Sequence, residues 1–335
     1  MRIGFWPPVY GNWLMSDDPA LSNSSYAYTE AATLLAERLG FDTLLLAEHF
    51  VNPLGAELDQ LDAWTTAAAL AARTERIEIL AAVKPGLRSP GVVAKMGANI
   101  DRISGGRFAI NLVSAWWPPE YEMLGADALT HDDRYARAQE YISIIKGLWT
   151  QDRFSFEGIF YHVRQATLAP KPQRSPHPTI YAGGESEAGK DLAASIADVY
   201  LLNGRPLEEL APIIVDMTRR ATARGRALRY GTAAFVICRE TEEAARAELA
   251  RLAALKRGRV IGGVPRTVMH QKKADDKLRV GINGGTDAGL VGTPTQIAET
   301  LHRMAAAGVE TFLLQFHPTL EELERFGTQV IPLLR

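Results

Sequence analysis

Three features of this 335-residue chain combine residue types that chemistry needs. The first is the run YAGGESEAGKD at Tyr181–Asp191. Gly184 to Lys190 fits G-x-x-x-x-G-K, but Asp191 stands where a nucleotide loop needs a Ser or Thr for Mg²⁺, so the pattern does not predict an NTPase. A Gly-rich strand-to-helix turn still suits a single phosphate. Gly183, Gly184, Glu185 and Ser186 offer backbone N–H groups, a hydroxyl and a helix N-terminus for it. The second feature is a set of imidazoles. His49 in AEHF and His317 in QFHP follow apolar runs, and His131 precedes Tyr135 by four residues, so the two share a helix face. Imidazole titrates near neutrality and serves as a general base. The third feature is INLVSAWWPPEYEMLG, Ile110–Gly125, an apolar strand interrupted by Asn111 and followed by Ser114, Trp116 and Trp117. Lys84 adds a cation after another apolar run. Carboxylates are plentiful, but none form the spaced pair that glycoside or metal chemistry uses. The single cysteine, Cys238, rules out an intrachain disulfide and a Cys-based metal site; it follows an apolar run and reads as core.

Something must hold these residues together, and the hydrophobic pattern says what. Strand-like runs at Arg2–Trp6, Thr43–Ala47, Ile77–Ala82, Phe108–Val113, Thr179–Ala182, Val199–Leu202, Gly231–Ile237 and Thr311–Gln315 alternate with amphipathic stretches. The stretches are Tyr26–Leu39, Leu61–Arg73, Pro90–Ile103, Asp132–Trp149, Ala188–Ile196, Leu207–Arg224, Glu242–Leu255 and Thr295–Ala307. Eight parallel βα units predict an α/β fold closed as a (β/α)₈ barrel, one domain over residues 1–335. A doubly wound sheet is the alternative, weakened because no GxGxxG follows the first strand. Two segments break the rhythm. Residues 151–178 are aromatic- and Pro-rich and predict a hairpin with an extended return. Residues 256–292 lack periodicity, carry eight Lys and Arg, and predict a mobile lid. Barrel enzymes carry their chemistry at the C-terminal ends of the strands. That rule gathers His49, Lys84, Asn111, Ser114, Gly183–Ser186 and His317 onto one face.

Composition sets outer bounds. Apolar residues at 47% and charged residues at 23% describe a globular chain with a sizeable core. A net charge of −2 gives no electrostatic case for nucleic acid or an anionic membrane. The start MRIGFWPPVYG lacks a signal-peptide pattern, and no apolar run is long enough to span a bilayer, so a cytoplasmic enzyme is expected.

Taken in order, ISGGRFAINLVSAWWPPEYEMLG, HDDRYARAQEYISIIKGLW, FEGIFYHV, LAPKPQ, IYAGGESEAG, LVGTPTQIAETL and LEELERFGTQVIPLLR resemble the luciferase-like flavin-dependent monooxygenases over nearly the whole chain. The likeness is strongest to the two-component, FMNH₂-dependent branch that acts on sulfones, alkanesulfonates and pyrimidines. It implies reduced FMN and O₂ as cofactors, a separate NAD(P)H:FMN reductase, a small-molecule substrate, no metal, and a homodimer or homotetramer. It also implies that Ala82, Lys84, Asn111, Val113 and Ser114 border the flavin ring and that His131 and Tyr135 contact it. Gly183, Gly184, Glu185 and Ser186 would hold the phosphate. His49, Asn111 and His317 become the catalytic candidates, and Trp6, Trp116, Phe235 and Asn283 the substrate pocket. Flavin-based oxygenation is quenched by water, which suits the tryptophans at a strand end. Where sulfonate-cleaving members carry charged residues, this chain has Ala233, Phe235 and Asn283. The expected substrate is therefore a small neutral sulfone, cleaved at a C–S bond. Rival readings are oxidative opening of a nitrogen heterocycle, an F420-dependent oxidoreductase, and a flavin-binding protein without turnover.

Overall fold

Strands covered on both faces by helices must be apolar throughout rather than alternating. Thr43–Leu46, Glu78–Val83 and Phe108–Leu112 are buried at every position. In a computed structural model, residues 1–10, 24–53, 58–114, 117–126, 129–255 and 277–335 are described. The first half runs β1 (Arg2–Phe5), α1 (Tyr26–Leu39), β2 (Thr43–Leu46), α2 (Ala63–Arg73), β3 (Glu78–Val83), α3 (Pro90–Ile103), β4 (Phe108–Leu112), α4 (Pro118–Met123) and α5 (His131–Thr150). A hairpin of β5 (Phe154–Glu157) and β6 (His162–Ala166) follows. The rest runs β7 (Thr179–Gly183), α6 (Glu187–Ile196), β8 (Val199–Leu202), α7 (Leu207–Thr222), β9 (Arg229–Phe235), β10 (Ile237–Cys238), α8 (Glu242–Ala254), β11 (Val291–Gly292), α9 (Pro294–Ala306), β12 (Val309–Gln315) and α10 (Thr319–Gln329). The strand order β1-β12-β9-β8-β7-β4-β3-β2 closes on itself, which makes the fold the expected (β/α)₈ barrel.

Contacts group the chain into two compact units. One comprises Ala63–Leu201 and Met217–Leu228. Within it the Trp64 indole donates to the Ala82 carbonyl at 2.9 Å and meets Phe108 edge-on at 5.5 Å, which ties α2 to β3 and β4. Arg107 fans over the connection before β3, donating to the carbonyls of Ala71, Thr74 and Ile77 and to the Thr74 hydroxyl. Glu140 on α5 accepts the backbone N–H groups of Ile159, Phe160 and Tyr161 at 2.7, 2.9 and 3.1 Å and so fixes the turn of the β5–β6 hairpin.

The other unit comprises Met1–Asp62, Leu202–Asp216 and Arg229–Arg335. Its distinctive feature is the glycine-rich loop over residues 280–286. Gln315 at the end of β12 accepts from the Ile282 N–H and donates to the Ile282 carbonyl, both at 3.1 Å. Gly204 N donates to the Asn283 carbonyl at 2.7 Å. Gly284 has φ +87°, and a Cβ there would lie 1.8 Å from the Gly204 carbonyl oxygen, so only glycine fits.

The sequence reading needs three amendments. Pro118-Pro119 begins the short helix α4, which none of the expected amphipathic stretches covers; proline is preorganised for the first helical positions. The C-terminal tail adds α10. Within 256–292, the part from Lys277 onward is packed: Val280, Ile282, Ala288 and Leu290 are buried, β11 pairs with β10, and Arg279 pairs with Asp287 at 2.6 Å. Residues 256–276, with the rest of the expected lid, lie outside the described residues.

Gly284→Ala is expected to cost at least about 2 kcal/mol, since it adds left-handed strain to a backbone overlap. The urea midpoint measures this. A loss within experimental error would show that the loop is not pinned against Gly204.

Candidate active site

Within the unit built on β3, β4 and β7, the register Ala82↔Asn111↔Tyr181 sets three expected or neighbouring positions side by side. Val113 N donates to the Val83 carbonyl at 2.9 Å, which carries the β3–β4 pairing one residue further and leaves Ser114 just past it. Asn111 is 9% exposed, and its Oδ1 is buried with no hydrogen-bond partner among the described residues. An acceptor in that state fits a ligand N–H.

Lys84 follows β3 directly. Its ammonium is 2% exposed and pairs with Glu120 of α4, itself fully buried. Glu120 was not among the residues singled out from the sequence. Its only local signals are a place in the first turn of a Pro-initiated helix and the 36 residues that separate it from Lys84. Trp117, just before α4, is buried, whereas Trp116 lies outside the described residues.

The Gly-rich turn after β7 is built for close approach. Ser186 caps α6 by accepting from Gly189 N at 3.2 Å and donates to the Tyr135 hydroxyl at 3.2 Å. Gly184 has φ +134°, and its carbonyl accepts from the Tyr200 hydroxyl at 2.7 Å. A Cβ on Gly184 would sit 3.1 Å from Gly189, and a Cβ on Gly189 would sit 3.1 Å from the Tyr135 hydroxyl. Ser186, Gly184 and Tyr135 therefore converge on a helix N-terminus, the arrangement that phosphate binding uses. His131 lies beside Tyr135 with ring centroids 5.0 Å apart and touches Asp132 at 2.9 Å, but half of its side chain is exposed. Gly183 is the last residue of β7, and Glu185 is half-buried in the turn.

In the other unit, Trp6 follows β1 and its backbone N–H donates to the Leu314 carbonyl at 3.1 Å. Glu48 and His49, beyond β2, are buried, whereas Phe50 is exposed. His49 meets Tyr10 edge-on at 6.1 Å. Burial holds the Tyr10 phenol well above its usual range, so it stays protonated. Phe235 at the end of β9 is fully buried and Gly281 presses on it; a Cβ at Gly281 would lie 2.8 Å from the phenylalanine Cβ. Asn283 adopts φ +52° in the loop that Gln315 holds, and His317 is buried two residues beyond Gln315. Sequence reasoning passed over Gln315 because nothing local marks an amide as the partner of a backbone 33 residues away. Among the described residues no group of His, Cys, Asp or Glu could hold a metal ion.

A parallel barrel with a phosphate-type turn after one strand and polar groups at strand ends is the architecture of a barrel enzyme. The luciferase-like monooxygenase family profile matches residues 5–311, and the chain belongs to that family. It is 38% identical to an FMNH(2)-dependent dimethylsulfone monooxygenase of Pseudomonas putida, with 100% of this chain and 95% of the relative covered. A protein with the same name from Pseudomonas fluorescens (strain Pf0-1) is 35% identical, with 100% and 94% covered. Among solved structures, the EDTA monooxygenase of Chelativorans sp. BNC1 superposes with a TM-score of 0.84 at 20% identity, covering 100% of this chain and 93% of that one.

Glu120→Ala is expected to cost about 3–5 kcal/mol, because it leaves a buried ammonium without its carboxylate. Replacing both partners, Lys84→Met with Glu120→Leu, should cost far less than the sum of the single changes. A double-mutant cycle in urea measures the coupling, and additive losses would remove the pair from this role.

Proposed function

We infer that the chain uses reduced FMN and O₂ to oxygenate a small organosulfur compound, foremost a neutral sulfone, with cleavage of a C–S bond. The observation that carries this reading is the end-to-end likeness to two FMNH(2)-dependent dimethylsulfone monooxygenases. The residues present fit the cofactor on two structural grounds. The Gly184–Ser186 turn at the start of α6 suits a phosphate, and the unpartnered Asn111 Oδ1 suits an N–H of the flavin ring.

When bound, reduced FMN supplies the electrons that activate O₂. The protein's part is to bind, orient and exclude water. Gly183, Gly184, Glu185 and Ser186 hold the phosphate with Tyr135 behind them, and His131 flanks Tyr135. Ala82, Asn111, Val113 and Ser114 border the ring. Lys84, with its ammonium held by Glu120, adds one half of a neutral pair and no free cation. His49 and His317 are the buried imidazoles proposed for proton transfer. Trp6, Trp116, Phe235 and Asn283 are proposed to line the substrate pocket. On the substrate, oxygen inserted at a carbon next to the sulfonyl gives an α-hydroxy sulfone. The C–S electron pair then leaves on sulfur as a sulfinate, and the carbon departs as an aldehyde.

A neutral substrate is favoured by charge. Phe235 offers no donor, Lys84 is already neutralised, and burying an unpaired sulfonate costs far more than burying a neutral polar group. We also propose a separate NAD(P)H:FMN reductase, a cytoplasmic setting, and a homodimer or homotetramer. No helix among the described residues is long and apolar enough to cross a membrane.

With a fixed supply of FMNH₂, dimethyl sulfone should show a higher kcat/KM than methanesulfonate, read as product by mass spectrometry and as O₂ uptake. A preference for the sulfonate reverses the substrate assignment. Ser186→Ala should weaken FMNH₂ binding by about 1.5–3 kcal/mol in an anaerobic titration. Asn111→Ala should instead lower the product formed per FMNH₂ and raise hydrogen peroxide. Unchanged coupling would place the flavin edge elsewhere.

A further inference from the structure

Arg137 on α5 has an environment that neither the fold nor the proposed reaction explains. It comes two residues after Tyr135, about 200° further around the helix, and so projects away from the Gly184–Ser186 turn. Only 8% of it is exposed, and its Nε is buried without a hydrogen-bond partner. Among the described residues the guanidinium makes no ion pair and no hydrogen bond. Its contacts are of other kinds. It lies over the Tyr121 ring with 5.6 Å to the centroid, and it packs flat on Gly86, where a Cβ would come within 2.7 Å of the guanidinium carbon. Gly86 has φ +98°, so the loop after β3 is shaped to leave that face open to the arginine.

A second unpaired group lies nearby. The Tyr161 hydroxyl, at the end of the hairpin turn that Glu140 fixes, is buried with no hydrogen-bond partner among the described residues. The backbone N–H of Tyr161 is held by Glu140 and its ring lies 5.9 Å from that of Tyr141, and these two residues follow Arg137 by three and four positions on α5, so Tyr161 lies along the helix face that carries Arg137. A buried cation is normally paired with an anion, and a buried hydroxyl normally has an acceptor. Here the buried Nε of the guanidinium and the buried Tyr161 hydroxyl lack acceptors among the described residues, and the nearby carboxylates are engaged. Glu120 is taken by Lys84, and Glu140 by three backbone N–H groups.

We propose that Arg137 and the Tyr161 hydroxyl form a binding site for a small oxyanion of sulfur or phosphorus. The fork of the guanidinium engages two of its oxygens and the phenol a third. A sulfinate belongs to this class. Naming it as the ligand rests on the sulfone reading above, whereas the anion site does not. A product-binding site on the face of α5 opposite the flavin turn would hold the anion apart from the reacting centre.

The test is calorimetric titration of the flavin-free full chain with sodium methanesulfinate and with sodium sulfate, using sodium chloride at equal ionic strength as the reference. Both anions should bind to the wild type and raise its Tm. Arg137→Met should weaken both by at least about tenfold, and Tyr161→Phe by a smaller factor. Tighter binding of methanesulfinate points to the organic product as the ligand, and equal binding points to inorganic oxyanions. Absence of binding to the wild type, or equal binding by Arg137→Met, overturns the proposal. Should Arg137→Met not fold, equal binding by Tyr161→Phe and wild type overturns the two-residue site. No flavin or sulfone is present, so failure here leaves the oxygenase reading intact, and failure to oxygenate sulfones leaves this result intact.

Discussion

An ammonium withdrawn from water at the end of a barrel strand has to meet a carboxylate, and Lys84 meets Glu120. Isolated burial of either charge would cost more than most single packing interactions return, so the pair constrains everything that carries its two members. Lys84 is fixed by the β3–β4 register. Glu120 is thereby required to lie above it, which draws the chain after β4 back across the strand end. Pro118 and Pro119 start a helix there with two residues that need no N–H partner, and Trp117 is buried just before them. The segment after β4 is thus held by an electrostatic contact as well as by the buried ring of Trp117.

The unit containing β9 and β12 reaches a similar end with neutral groups. Gln315 satisfies both backbone groups of Ile282, so the loop that carries Asn283 is held as though it were one more strand residue. Gly281 and Gly284 permit this because their φ values of +86° and +87° turn the chain where any side chain would strike Phe235 or Gly204. A neutral amide suits this place. Its two bonds leave no charge behind, so the surface it supports stays apolar around Phe235.

The scaffold could be read from the sequence because burial on both faces leaves a continuous apolar run, and eight such runs alternate with amphipathic stretches. Ser186 was legible as well, since a serine after two glycines at a strand-to-helix turn is a local cap signal. Asn111 stood out as an amide inside an otherwise apolar strand. The pairings that set charge were not legible. Lys84 and Glu120 are 36 residues apart, and Gln315 and Ile282 are 33 apart. No periodicity links them, because they meet only after the strands have aligned. Arg137 was hidden for a related reason. In HDDRYARAQEY it reads as an ordinary solvated helix position, and only the folded contacts with Gly86 and Tyr121 cover it.

These details bear on how one barrel serves different substrates. The fold fixes which positions lie at strand ends, while the charge at those positions depends on whether a partner is supplied from a later segment. Lys84 would be an anion-binding group if the chain after β4 offered no carboxylate, and it is a neutral structural element because Glu120 is present. Arg137 shows the converse, a cation on a neighbouring helix set among aromatic rings, with the carboxylates near it engaged by other donors. Substrate polarity in this protein therefore follows from the placement of carboxylates as much as from that of the cations. A single acidic residue in the short helix α4 is enough to turn the cation at the end of β3 into half of a neutral pair.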